Sequence, residues 1–124
     1  MFDPKKFLEA VVSKNEKAIR PYFADDAIIC WHDSNEQLTL EEFIRANCEY
    51  PSDWTCEVER IEKIEKGFAL TAQLDHAAEG FYVKYVGFIE LNESRLVEKL
   101  DEWFVAIEEI PQWRKDMKIG RPIK

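Results

Sequence analysis

The chain has 124 residues, of which 46% are hydrophobic and 34% charged, and its formal net charge is −8. That length is one domain, 1–124, and is enough to bury a core without disulfide or metal staples. The acidic balance argues against nucleic acid or an anionic membrane as a partner, because both need a basic patch.

Asp3 followed by Pro4 reads as an N-cap with proline at the first helical position. Phe7, Leu8, Val11 and Val12 then fall on one helical stripe. A break over residues 13–15 precedes a second short helix carrying Ala18, Ile19, Tyr22 and Phe23, in which Pro21 marks a kink or restart. Asp25 and Asp26 read as the turn into a first strand over residues 27–31, and residues 32–37 as a polar loop. Thr39 and Glu42 make a capping-box pattern that opens a helix over 39–50. That helix puts Leu40, Phe43, Ile44 and Asn47 on one side, and Pro51 and Asp53 end it.

Residues 54–65 fit neither period well. They read as a strand with a bulge after Val58, since a bulge shifts the alternation by one; a helix is the alternative. Lys66 and Gly67 form a hairpin turn. Three strands follow in antiparallel order. Phe68, Leu70, Ala72, Leu74 and His76 share one face of the first. Phe81, Val83, Tyr85, Gly87, Ile89 and Leu91 share the same face of the second. Leu96, Glu98, Leu100, Glu102 and Phe104 complete the set in the third. In that last strand the other face holds Val97, Asp101, Trp103 and Val105 and is nearly as apolar, so its parity, with Glu102 or Asp101 inward, stays open. A sheet that is apolar on both faces has both covered. The helices suffice for one face only, so the convex face is expected to pack on a second copy, giving a homodimer. The tail over residues 110–124 is expected to lie against the body, over the pocket of its own subunit or of its neighbour, because it carries Trp113, Met117, Ile119 and Ile123.

Cys30, Cys48 and Cys56 are odd in number and lack CxxC spacing, which argues against a disulfide framework or a zinc site. The N-terminus has no apolar segment like that of a signal peptide, and no apolar run has the length of a membrane span. A cytoplasmic, reducing setting is expected. His32 and His76 stand far apart without HxH or HExxH spacing, so no metal and no cofactor are expected.

Helices on one face of a bent antiparallel sheet enclose a pocket, and the inward face names its polar groups. Glu102 among Leu, Phe and Tyr is the candidate acid or base, since desolvation raises a carboxyl pKa toward the range useful for proton transfer. The alternative is a strand-end carboxylate reaching solvent. His76 is the candidate shuttle across the cavity, or else a rim residue beside a turn. Asn47 either bonds a ligand or satisfies a carbonyl. Trp31, Phe43, Tyr50, Trp54, Tyr85, Phe104 and Trp113 are candidates for the pocket wall, each with plain core packing as the alternative.

The order helix, helix, strand, helix and four strands resembles the nuclear transport factor 2-like superfamily, an α+β cone-shaped barrel of N-terminal helices on a strongly curved antiparallel sheet. YFADDAIICWHDSNEQLTLEEFI looks like its first-strand and third-helix unit, and RLVEKLDEWF like its last strand. FIRANCEYP, LDEWF and QWRKDMKIGRPI are similar to a SnoaL-like bacterial group without established activity. The superfold hosts many functions. Steroid-isomerase relatives carry an Asp base near the end of the first strand, where Trp31 stands here, and a second acid nearest to Gly87 or Tyr85. Epoxide-hydrolase relatives use an Asp-Arg-Asp arrangement, and this chain's clean strands show no inward Arg. Scytalone-dehydratase relatives use His and Asp, and only the position of His76 corresponds. Three readings follow: a proton-transfer enzyme (isomerase, dehydratase or cyclase) using Glu102 with His76 or Tyr85, a binding protein for a small apolar molecule, or an interaction module whose cavity is filled by its own side chains.

Overall fold

The Asp3 carboxylate accepts hydrogen bonds from the Lys5 and Lys6 amides and so starts helix α1 (Pro4–Val12), which buries Phe7, Leu8 and Val11. In this computed structural model, which describes residues 1–123, Asn15 caps a four-residue helix α2 (Glu16–Ile19) in the same way. Pro21 then forces a 3₁₀ turn over Arg20–Tyr22. Strand β1 (Phe23–Trp31) and a short strand β2 (Glu36–Thr39) form a hairpin closed by Asn35 in the left-handed region, φ 58°. Helix α3 (Leu40–Cys48) begins with the expected capping box: Thr39 Oγ1 accepts from the Glu42 amide, and the Glu42 carboxylate accepts from the Thr39 amide.

Four long strands complete the chain: β3 (Thr55–Ile64), β4 (Gly67–His76), β5 (Phe81–Leu91) and β6 (Val97–Ala106). The sheet order is β2-β1-β6-β5-β4-β3, antiparallel throughout except where β1 runs parallel to β6. The sheet curls but its edges, β2 and β3, do not meet, so the cone is open. Helices α1 and α3 lie in its concave side. The core runs as a chain of rings from Phe7 through Phe23 and Phe43 to Trp31, with neighbouring centres 5.4–6.1 Å apart. No helix among the described residues is long and apolar enough to cross a membrane.

Four local expectations are corrected. Asp25 and Asp26 are not a turn; they lie within β1, where its pairing with β6 slips between Phe23 and Ile28. Part of the expected polar loop over 32–37 is strand, because Glu36 and Gln37 pair with Trp31 and Cys30 across a tight hairpin. Leu96 and Glu98 are not inward. Leu91 pairs with Val97 and Glu90 with Lys99, so Glu98 is an extra residue in a bulge, and Val97 is the buried one. Finally, the tail does not pack on the body: residues 105–123 are all exposed, with Trp113 at 65% in a short helix α4 (Gln112–Asp116). Its apolar content therefore does not report a contact within its own chain.

The bulge expected in β3 is present, as a register shift between Val58 and Arg60. On the convex face, Val86 pairs with Trp103, Phe88 with Asp101 and Lys84 with Val105. Phe88 and Val105 are exposed there at 41% and 51%.

Candidate functional site

Alternation places Leu100, Glu102 and Phe104 on the concave side of β6, and Val83, Tyr85 and Gly87 on that of β5. Glu102 stands directly opposite Gly87, and Phe104 opposite Tyr85. On the other flank of β6, Trp31 is the parallel partner of Glu102. Three strands thus bring Trp31, Tyr85 and Glu102 to one spot, and residues 71 positions apart in sequence meet there by topology alone. The parity question resolves to Glu102 inward, at 1% exposure, with Asp101 on the convex side beside Trp103.

The Glu102 carboxyl is held at both oxygens. Trp31 Nε1–H donates to Oε1 at 2.9 Å, and the Tyr85 hydroxyl donates to Oε2. Tyr85 reaches Glu102 because the residue beneath its ring is glycine. A Cβ on Gly87 would lie 2.4 Å from Tyr85 Oη and 2.9 Å from two ring carbons. Burial pushes the Glu102 carboxyl up to about 7; the Tyr85 and Trp31 hydrogen bonds oppose that rise, and the Asp33 charge adds to it. Burial, with the Glu102 charge next, raises the Tyr85 hydroxyl well above its ordinary value, so it remains a neutral donor.

This pair lies in the wall of a cavity of about 370 Å³ between the sheet and the helices. Trp31, Tyr50, Trp54, Tyr85 and Phe104 supply its aromatic surface. Leu8, Val11 and Val12 of α1, Ala46 of α3 and Leu74 of β4 supply the aliphatic part. The segment carrying Tyr50 and Trp54 is tied down by Lys14, whose Nζ donates to the Tyr50 and Ser52 carbonyls at 2.7 and 3.2 Å. Asp33 sits on the lining, exposed, just past the end of β1.

Of the residues the sequence nominated, Trp31, Asn47, Tyr50, Trp54, Tyr85, Glu102 and Phe104 meet at the cavity. Phe43 does not line it. It is fully buried behind Trp31, in contact with Phe23, and belongs to the core. Trp113 lies in the exposed tail, away from the cavity. Asn47 lines the wall while its amide donates back to the Phe43 carbonyl at 2.8 Å, which is the carbonyl-satisfying alternative. His76 is buried, yet it is absent from the lining. It sits behind Tyr50 and Trp54 with Phe81 stacked on it at 4.3 Å, and its Nδ1 is 3.2 Å from Ser52 Oγ. Burial lowers the His76 pKa, which keeps the ring neutral. His76 therefore buttresses the wall and does not face Glu102 across the cavity. The sequence does not mark Leu8, Val11, Val12, Ala46, Leu74 or Asp33 as lining. The stripe Leu8-Val11-Val12 was visible as a helix face, but nothing local says that part of that face lines a void.

No family model and no curated protein matches this sequence. Solved structures do. A candidate ketosteroid isomerase from Kribbella flavida superposes with a TM-score of 0.81 at 21% identity, covering 97% of this chain and 87% of that one. A nuclear transport factor 2-like protein of unknown function from Burkholderia xenovorans gives 0.74 at 18% identity, over 95% and 91%. A SnoaL-like protein of unknown function from Burkholderia thailandensis gives 0.62 at 14%, over 82% and 90%. At these identities the likeness is one of fold: an α+β, nuclear transport factor 2-like architecture.

Proposed function

We propose that this nuclear transport factor 2-like chain binds a small, largely apolar molecule in its cavity and moves a proton on it, with Glu102 as the acid/base and Tyr85 as its hydrogen-bonding partner. The observation that supports this most is a buried carboxyl with a pKa of about 7, clamped by two donors, in the wall of an aromatic cavity. A general acid/base works best when its pKa lies near the operating pH. The clamp fixes the carboxyl plane, which serves orientation. When Glu102 takes a proton on Oε2, that proton is donated to Tyr85 Oη, and the tyrosine hydroxyl is free to turn its own proton toward the ligand. Proton uptake and delivery within one site suit an isomerisation, a dehydration or a cyclisation. The fold neighbour described as a candidate ketosteroid isomerase fits that reaction class.

Ligands found by thermal shift are incubated in D₂O with the wild type and with Glu102→Gln. Deuterium enters the bound ligand with the wild type. The variant loses roughly a hundredfold or more of that rate, the lower end of what a positioned acid/base contributes, while still binding. Binding without exchange in the wild type leaves the binding-protein reading; no binding overturns the reading of the cavity as a site for a small apolar molecule.

We also infer that the convex face pairs with a second copy. Phe88 and Val105 are exposed on an apolar strip with the Trp103 ring, which is edge-on to Phe88 at 5.7 Å and has the His32 ring stacked on it at 4.2 Å. Light scattering that gives a monomer at micromolar concentration overturns the inference.

A further inference from the structure

The chemistry of the cavity wall narrows the class of ligand, granted that the cavity is the ligand site. The polar lining is one-signed. Glu102 and Asp33 are its titratable acids, and among the described residues that line it there is no Lys, Arg or His. Four further aromatic side chains, Trp31, Tyr50, Trp54 and Phe104, stand in the wall beside its aliphatic part. Tyr50 and Trp54 stand 5.3 Å apart and tilted by 37°, and Trp31 and Phe104 stand 6.2 Å apart and perpendicular, so the two pairs form walls of differing orientation. A negatively charged ligand would meet two carboxylates and no cation. A neutral one would leave an ionised Glu102 without a counter-charge. A cation meets a wall rich in aromatic rings, whose quadrupole attracts it over their faces, and acids that its charge stabilises.

We propose that the cavity takes an organic ammonium ion with apolar substituents, its positive centre held between the aromatic walls and the Glu102 and Asp33 carboxylates. Each Glu102 oxygen already accepts one hydrogen bond and keeps a lone pair for the ligand. The substituents fill the aliphatic side of the wall. The groups that face Glu102 are Trp31 from β1, Asp33 just past it, and Tyr85 from β5. α1 and α3 present only aliphatic side chains and the Asn47 amide there. Glu102, whose carboxyl burial raises to about 7, gains charge between pH 6 and pH 8, and binding of the cation strengthens over that interval.

The test uses choline and its uncharged carbon isostere 3,3-dimethylbutan-1-ol, followed by calorimetry and by tryptophan fluorescence, to which the lining residues Trp31 and Trp54 contribute. At pH 8 choline is expected to bind roughly tenfold more tightly than the alcohol, the scale of a desolvated cation–π contact. That preference is expected to shrink toward pH 6 and to collapse in Glu102→Gln. Equal or tighter binding of the alcohol at pH 8 overturns the inference and leaves the proton-transfer reading standing. Choline binding that is unchanged in Glu102→Gln at pH 8 also overturns it. Binding of neither compound overturns the inference together with the ligand-site reading beneath it.

Discussion

Glu102→Gln is expected to melt roughly 10 °C above the wild type at pH 8 and at nearly the same temperature at pH 5. Glu102 titrates near 7 in the folded chain, against 4.5 for an unperturbed Glu, because burial penalises its charged form. The sign follows from proton counts. Between pH 4.5 and 7 the folded state holds a proton on Glu102 that the unfolded state has lost, so stability falls as pH rises. The folded pKa is the raised one, so the contribution is fully present below the unfolded value and is gone above about 7. At 1.36 kcal/mol per pH unit the total is about 3 kcal/mol. Glutamine carries no charge and can keep both partners: its carbonyl oxygen accepts from Trp31 Nε1–H, and its amide donates to Tyr85 Oη. The other titrating groups are common to both proteins and cancel in the difference. Thermal unfolding of both proteins from pH 5 to pH 8 measures it. A variant less stable than wild type at pH 8 would mean that the fold stabilises the ionised carboxylate. Retaining an acid that weakens the fold at neutral pH is the pattern of a residue kept for function.

The second large effect is at Gly87. Gly87→Ala is expected to destabilise the chain by roughly 3 kcal/mol, combining overpacking with the loss of a hydrogen bond to a charged group. The backbone at Gly87 is ordinary strand, so conformational strain is not the cause. The cause is the Tyr85 ring, buried at 1% exposure, whose hydroxyl would stand 2.4 Å from the new methyl. Tyr85 cannot swing into solvent, so it must shift off Glu102. A double-mutant cycle isolates that contact. In a Tyr85→Phe background the hydroxyl is absent and the glycine-to-alanine cost is expected to fall, though not to zero, because two ring carbons also stand at 2.9 Å. Denaturant midpoints of the four proteins provide the test. An equal cost in both backgrounds would show that the glycine is needed for the strand and not for the tyrosine.

These two residues also show how far the sequence could be read. The alternation in β4 and β5 is clean, so the inward positions of Leu74, His76, Tyr85 and Gly87 follow from period two. The last strand is apolar on both faces, and a bulge at Glu98 shifts its start by one residue, which is why parity could not be settled locally. Burial of Glu102 is decided by where β1 and β5 fall beside β6, and the parallel pairing of β1 with β6 has no local signature. Trp31 becomes a donor to Glu102 only through that pairing. His76 was correctly inward, but the strand carries it past the cavity, behind Tyr50 and Trp54. Neither the helix face that carries Phe43 nor the aromatic character of Trp113 separates core, cavity and surface; the structure assigns one to the core and the other to solvent. The short β2 was hidden because Asn35 and its polar neighbours look like loop, and a four-residue edge strand has too few positions to show a period.

The account rests on the state of one carboxyl group. Its direct measurement is the titration of the Glu102 side-chain carbon by carbon-13 NMR in the wild type, assigned by its loss in Glu102→Gln, with the Trp31 indole N–H followed in parallel. A midpoint near 7, shared by both signals, is the predicted result. A midpoint near 4.5 would mean a solvated carboxylate, and the proton-transfer role, the pH-dependent stability and the pH dependence of cation binding would fall together.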